Sequence, residues 1–214
     1  KNGFYGFLLV MLALAIFLRP SLAVFVAIGI PVSFLGTLMI APAIGLTINM
    51  ISLFAFVLVL GIVVDDAIVV GESVFTEYQR NGPGAESAIR GTHAVSTPVT
   101  FAVITTIVAF IPIFALPGLI GKFFVSVPLV VIPTLIFSLI QSKLVLPYHL
   151  SLCRFDERVR RGRFNPLFRL QRRFSDGLEN FINTRYRKIL NRTMEHRYVT
   201  LAIFVALLII SVGF

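Results

Sequence analysis

Five long blocks of apolar residues alternate with short polar breaks along the chain, at roughly 3–18, 22–42, 48–73, 97–116 and 123–147, and a sixth begins at 198. None shows the two-residue alternation of a half-buried strand. Each reads as a helix that spans, since roughly 20 apolar residues cross a ~30 Å hydrocarbon core. Pro31, Pro98, Pro112, Pro128 and Pro133 interrupt several blocks. Membrane helices tolerate such breaks because neighbouring helices satisfy the freed backbone groups. The pattern predicts an all-α polytopic transmembrane helix bundle of five complete spans plus the start of a sixth.

The breaks between blocks are short. Arg19, Pro20 and Ser21 read as a tight turn, and Ala43 to Thr47 as an uncharged one. Glu77 to Ser96 reads as a polar loop broken at Asn81, Gly82, Pro83 and Gly84, with room for a short surface helix over Ala85 to Val95. Pro117 to Lys122 is a small Gly-rich turn.

Three regions follow from this pattern: a helix bundle over 1–153, a basic segment over 154–197, and the start of another span over 198–214. In the basic segment Asn165-Pro166 is a helix start, with Asn as cap and Pro in the first turn. Leu167, Leu170, Phe174, Leu178, Phe181, Ile189 and Leu190 then recur near helical spacing, with Arg and Asn between them and Gly177 as a kink point. This predicts an amphipathic helix on the cytoplasmic surface, its apolar stripe in the lipid boundary and its Arg near anionic headgroups, with a solvated linker as the alternative. The last run, Tyr198 to Phe214, is short for a span, so the chain reads as a piece of something larger.

Composition agrees with a bilayer as solvent: 57% of residues are hydrophobic and 14% charged, with mean hydropathy +0.92. The net charge of +9 does not point to nucleic acid, because the basic residues sit between apolar blocks. Alternating the helices puts Arg19, Arg80, Arg90 and the arginines after Cys153 on one face, and only Lys1 and Lys122 on the other. The basic face is then cytoplasmic, in an inner-membrane, multi-pass arrangement. The single Cys153 excludes an internal disulfide. The opening block lacks the basic lead-in and small-residue cleavage site of a signal peptide.

The third block carries the chemistry. Asp65 and Asp66 lie in an otherwise apolar Val/Ile run, about 6 Å from the midpoint of the block. Each carboxylate there costs on the order of 2.5–3.5 kcal/mol on insertion scales. Burial and mutual repulsion both penalise the doubly charged state, so the pair is suited to loading and unloading protons. A purely structural salt bridge finds no partner in the chain: Lys143 reads as lying near the cytoplasmic end of its helix and Lys122 at the outer turn. Glu72, seven positions after Asp65 on nearly the same face, and the intrahelical Thr105 and Thr106 are candidates for a proton path. Each also has a bland reading, Glu72 as a headgroup-level residue and the threonines, like Ser52, as donors to their own backbone. His93, His149 and His196 have no ligand-spaced companions, so no metal site is expected.

The run Gly61 to Val74 (GIVVDDAIVVGESV) resembles the fourth transmembrane helix of the resistance–nodulation–cell division superfamily, in its hydrophobe/amphiphile efflux branch of acriflavine-resistance-type pumps. Ile44 to Met50 (IGLTINM) and Leu146 to Leu150 (LPYHL) fit the same family. The likeness extends over the chain as that family's second to sixth helices, its surface helix and the start of its seventh. It implies that Asp65 and Asp66 are the proton-relay carboxylates of a drug/amphiphile:proton antiporter, driven by the proton motive force without a cofactor. It further implies pairing with a Lys on a helix of the second membrane half, a homotrimer, and work with a periplasmic adaptor and an outer-membrane channel. Substrate-binding domains lie outside these residues, so the chain alone is expected not to transport.

Two other readings compete. A monovalent cation/proton antiporter also places aspartates in a helix, but normally where helices are unwound. An intramembrane aspartyl protease needs two facing aspartates, whereas adjacent helical residues diverge by about 100°. A non-transporting structural membrane fragment is the remaining alternative.

Overall fold

The computed structural model describes residues 5, 6, 8, 9, 12, 20–152, 177 and 180–213. Most of the expected first span, Cys153 and the arginine-rich stretch with its Asn165-Pro166 helix start lie outside the described residues. Among the described residues every regular element is helical and there is no strand. They fall into two compact units, Lys1–Gly162 and Arg163–Phe214.

In the first unit, α1 is Pro20–Ile40, α2 Met50–Asn81 and α3 Ala85–Phe110, the last continued by a 3-10 turn at Ile111–Ala115. The short α4, Gly118–Phe124, leads into α5, Ser126–Ile140; a π turn at Gln141–Val145 joins α5 to α6, Leu146–Leu152. Four stretches are long and apolar enough to cross a membrane: Leu22–Ile40, Met50–Asn81, Ala85–Ala115 and Gly118–Leu152. They correspond to the second to fifth expected spans, so the fold is a helical membrane bundle.

The boundaries differ from the sequence reading in two places. Pro20 is not in a turn but starts α1, where its missing N–H costs nothing. The expected polar loop from Glu77 to Ser96 is almost wholly helical: α2 runs on to Asn81, and the short helix expected over Ala85 to Val95 is present as the start of the longer α3. Only Gly82, Pro83 and Gly84 turn the chain, with Gly82 at φ 84° and its N–H donating to the Tyr78 carbonyl at 3.0 Å. Charge pairs at helical spacing, Glu77 with Arg80 and Glu86 with Arg90, sit on these extended ends. Residues that look like loop by polarity are here the solvated ends of two long helices.

α2 starts sharply because Asn49 caps it. The Asn49 Oδ1 accepts from the N–H groups of Ile51 and Ser52, each at 2.9 Å, and Ser52 Oγ accepts from the Asn49 N–H at 2.8 Å. This reciprocal box satisfies donors that helix starts leave orphaned. Ser52 Oγ also donates to the Asn49 carbonyl at 2.9 Å, the bond to its own backbone expected of it, and the capping contact is added to that. The Asn49 Nδ2 donates onward to Ser126 Oγ at 3.3 Å, tying the start of α2 to the start of α5.

α2 is the central helix and packs against α1, α3 and α5. Its inward residues Val59, Val63, Val70 and Val74 are buried against Leu22, Val26 and Ile30 of α1 and Val130 and Leu135 of α5. Small residues set the closest approaches, as expected where lipid is the alternative neighbour. Gly91 of α3 lies directly on the Val74 backbone, and Ser73 Oγ donates to the Gly91 carbonyl at 2.7 Å. The Phe137 ring covers Gly36, and the hydroxyls of Thr37 and Thr134 meet at 2.9 Å between α1 and α5. α3 lies at the edge: 11% of its most apolar stretch is buried, against 39–44% for the other three spans.

In the second unit a π turn at Ile182–Tyr186 leads into α7, Arg187–Glu195, which bends at His196 into α8, Arg197–Gly213. The bend between the two stretches is 95°. The described part of the expected amphipathic helix is therefore helical, with Ile189 and Leu190 exposed within its unit.

Candidate proton-relay site

Asp65 and Asp66 stand at the centre of α2, with fifteen helical residues on each side, from Met50 to Val64 and from Ala67 to Asn81. This corrects the offset of about 6 Å: the helix is about 48 Å long at 1.5 Å per residue, longer than the apolar block, and the pair marks its middle. The helix runs unbroken through the pair.

The two carboxylates diverge. Asp66 is buried at 9% exposure, and its Oδ2 has no hydrogen-bond partner among the described residues. Asp65 is exposed, about 100° around the helix, on the side that also exposes Phe54, Leu58, Gly61 and Glu72. One carboxylate thus looks into the bundle and the other away from it. Neither forms an ion pair with a described residue. A buried acceptor left without a donor is costly, so Asp66 Oδ2 is a place where a hydrogen-bond donor or a cationic neighbour would be stabilising.

Cross-helix contacts give the height of every other group. Asn49 lies beside Ser126, so Asp66, seventeen residues further along α2, is level with Lys143, seventeen residues beyond Ser126 on the parallel α5–α6 segment. Ser73 lies beside Gly91 on the antiparallel α3, so Val64, nine residues back, is level with Thr100, nine residues on. Leu22 against Gly71 and Gln141 against Gly29 carry the comparison through α1 and put Gln141 at the height of Val64. A direct bond closes the comparison: Lys143 Nζ donates to Thr100 Oγ1 at 2.7 Å.

Lys143 is therefore not at the cytoplasmic end of its span but on the layer of the aspartates, half-buried and bonded to a neutral hydroxyl. Sequence position misled because the span Gly118–Leu152 runs through the π turn as one stretch. The same layer holds Gln141, buried with its Oε1 unpartnered among the described residues. One turn earlier Ser138 is buried with its Oγ unpartnered. Thr100 and Gln141 were missed by the sequence reading. The signal for them was polar residues in apolar blocks, together with Pro147 four positions after Lys143.

The other candidates stand apart. Thr105 and Thr106 donate to the carbonyls of Phe101 and Ala102, at 2.7 and 2.9 Å, on a mostly exposed part of α3. They lie about 10 Å along the bundle axis from the pair. Glu72 is exposed on the Asp65 side, roughly two turns away. Among the described residues no three His, Cys, Asp or Glu gather as a metal set.

Fold and site together define a polytopic helical membrane protein with a carboxylate pair at the middle of its central span. The AcrB/AcrD/AcrF family profile matches residues 1–214, and the chain belongs to that family, within the resistance–nodulation–cell division superfamily. Among similar curated proteins is Multidrug resistance protein MdtC of Pantoea ananatis, 29% identical over 184 residues, covering 82% of this chain and 18% of that protein. The protein of the same name from Photorhabdus laumondii is 32% identical over 140 residues, 65% of this chain and 14% of its own. That from Yersinia pestis is 36% identical over 117 residues, 54% of this chain and 11% of its own. The chain thus spans less than a fifth of the length of these relatives.

Proposed function

We propose that this chain is the proton-relay portion of a proton-driven efflux transporter of the bacterial inner membrane, exchanging drugs or other amphiphiles for protons. The observation that carries the reading is the divided pair: Asp66 turned into the bundle with an unpartnered oxygen, Asp65 turned to its open side, both at the centre of the longest helix. A relay needs that arrangement, because one carboxylate must exchange protons with a path while the other answers to a moving neighbour. By family resemblance that neighbour is a Lys on a helix of the second membrane half, and the open side of α2 leaves room for such a helix. The name shared by the relatives, multidrug resistance protein, supports amphiphilic drugs as the substrate class.

Glu72, Thr105 and Thr106 remain candidates for the path that feeds the pair. A homotrimer, a periplasmic adaptor and an outer-membrane channel belong to the same proposal, with membrane lipid as the surrounding partner and no nucleic acid. The unbroken α2 favours this reading over a cation/proton antiporter, whose sites sit where helices unwind. The divergence of the aspartates disfavours a protease dyad.

The test places the full-length protein carrying this chain in proteoliposomes and follows a fluorescent amphiphile under a pH gradient. Asp65→Asn and Asp66→Asn should insert and assemble yet lose gradient-driven transport. Transport surviving in both variants would make the pair structural and end the proposal.

A further inference from the structure

The relay layer contains a cation that the sequence reading had placed elsewhere. We propose that Lys143 is a positioning residue of this site, an in-chain cation that leaves Thr100 for Asp66 when Asp66 is ionised.

Height is the first support. The Asn49–Ser126 contact, the Ser73–Gly91 contact and the Lys143–Thr100 bond all put Lys143 level with Asp65 and Asp66. Charge is the second. Within about one helical turn of that layer, α1 and α3 contribute no ionisable side chain, so Lys143 is the sole cation there among the described residues of the four spans. His93 and Glu72 lie nearer one end, and Lys122 is about 30 Å away at the other.

Unmet bonding is the third support. An ammonium has three donors, and that of Lys143 bonds Thr100 Oγ1, a neutral acceptor that itself donates to the Ser96 carbonyl at 2.6 Å. Asp66 Oδ2, on the same layer and inside the same bundle, has no donor among the described residues. A lysine at mid-membrane is expensive unless it serves a pathway or a partner, and one hydroxyl does not neutralise it. An aspartate and a lysine facing such needs at one height are complementary.

The backbone supplies the means to move. Lys143 sits in the middle of the π turn Gln141–Val145, closed by the Leu146 N–H donating to the Gln141 carbonyl. Pro147 explains the turn: it has no N–H to return to the Lys143 carbonyl, and its ring crowds that carbonyl. Wide turns of this kind recur at functional sites, because the local register there is not locked by the regular ladder. On its flexible four-carbon stem, the ammonium has Thr100 on one side and the Asp66 layer on the other. The site would thus hold two cations in its cycle, this one from inside the bundle and the second-half lysine from the open side. That role in transport rests on the relay reading above; the pairing of Lys143 with Asp66 does not.

The test combines a thermodynamic cycle with transport in the full-length protein. Melting temperatures in mildly alkaline detergent buffer are taken for K143M, D66N and K143M/D66N, with K122M and K122M/D66N as the distant reference. The expected result is non-additivity of about 2 °C or more for Lys143 with Asp66, and additivity for Lys122. In proteoliposomes K143M should lose gradient-driven transport while K143R, which keeps the charge, retains a substantial part of it. A general packing role would not distinguish these two variants in that direction. Should K143M fold poorly, K143Q replaces it in both measurements. Additive melting for Lys143 with Asp66, or full transport by K143M, overturns the proposal. Non-additive melting with unimpaired D66N transport keeps the pairing and removes the relay reading instead.

Discussion

Replacing Gly91 by Ala should destabilise the bundle although it adds a single methyl group. An ideal Cβ at Gly91 would stand 2.7 Å from the Val74 nitrogen and 2.8 Å from the Ser73 carbonyl oxygen, and closer still to Val74 Cα. Ordinary contact begins at 3.4 Å, and all three obstacles are backbone, which cannot rotate away. α2 and α3 must therefore part by roughly 1 Å at their crossing, an overpacking strain of about 1–3 kcal/mol. Parting also stretches the 2.7 Å bond from Ser73 Oγ to the Gly91 carbonyl, a further loss of about 1 kcal/mol. The better helix propensity of Ala returns about 1 kcal/mol. The net expectation is a loss of about 1–3 kcal/mol. The assay is the thermal melt of detergent-solubilised protein, with Gly61→Ala measured beside it. Among the described residues no atom lies within 4 Å of an ideal Cβ at Gly61, so that substitution should gain roughly 0.5–1 kcal/mol within the chain alone. A Gly91→Ala protein melting at or above wild type would refute the argument, since α2 and α3 would then have slack that the backbone contacts deny.

Asn49→Ala removes the acceptor for two orphan N–H groups and the tie to Ser126; it should cost about 0.5–2 kcal/mol, read as a lowered melting temperature. Gln141→Met keeps the length of a buried side chain whose Oε1 has no partner, so its stability should equal or slightly exceed wild type by the same melt. A loss above about 1 kcal/mol would instead reveal a bonded water serving that oxygen.

Most of the architecture was legible in the order of residues. A block of apolar positions long enough to cross a bilayer admits few structures other than a helix, because unpaired backbone groups are prohibitive in hydrocarbon. Helix ends were less legible. Glu77 to Ser96 looks like a loop because it is polar, yet its polarity serves helix ends that leave the apolar layer, and only Gly82 to Gly84 break the helix. Polarity reports the solvent around a residue, not its backbone conformation.

The carboxylate pair was visible for a related reason: two charges inside an apolar run are improbable unless used, and their adjacency on a helix already implied that they diverge. Which of the two turns inward could not be read, since that depends on how α2 is rotated against α1, α3 and α5. Nor could the company of the pair. Lys143 lies 77 residues from Asp66 and Thr100 lies 34 residues from it, and linear distance says nothing about height in a bundle. Their meeting on one layer follows from Asn49 bonding Ser126, from Gly91 letting α3 lie on Val74, and from Pro147 forcing a π turn beneath Lys143. Sequence alone determined that there are spans and that one of them carries a carboxylate pair, because burying charge and backbone in lipid is a local cost paid residue by residue. The tertiary structure decided which carboxylate is enclosed and which cation stands beside it, because those depend on the rotation and height of helices that only packing sets.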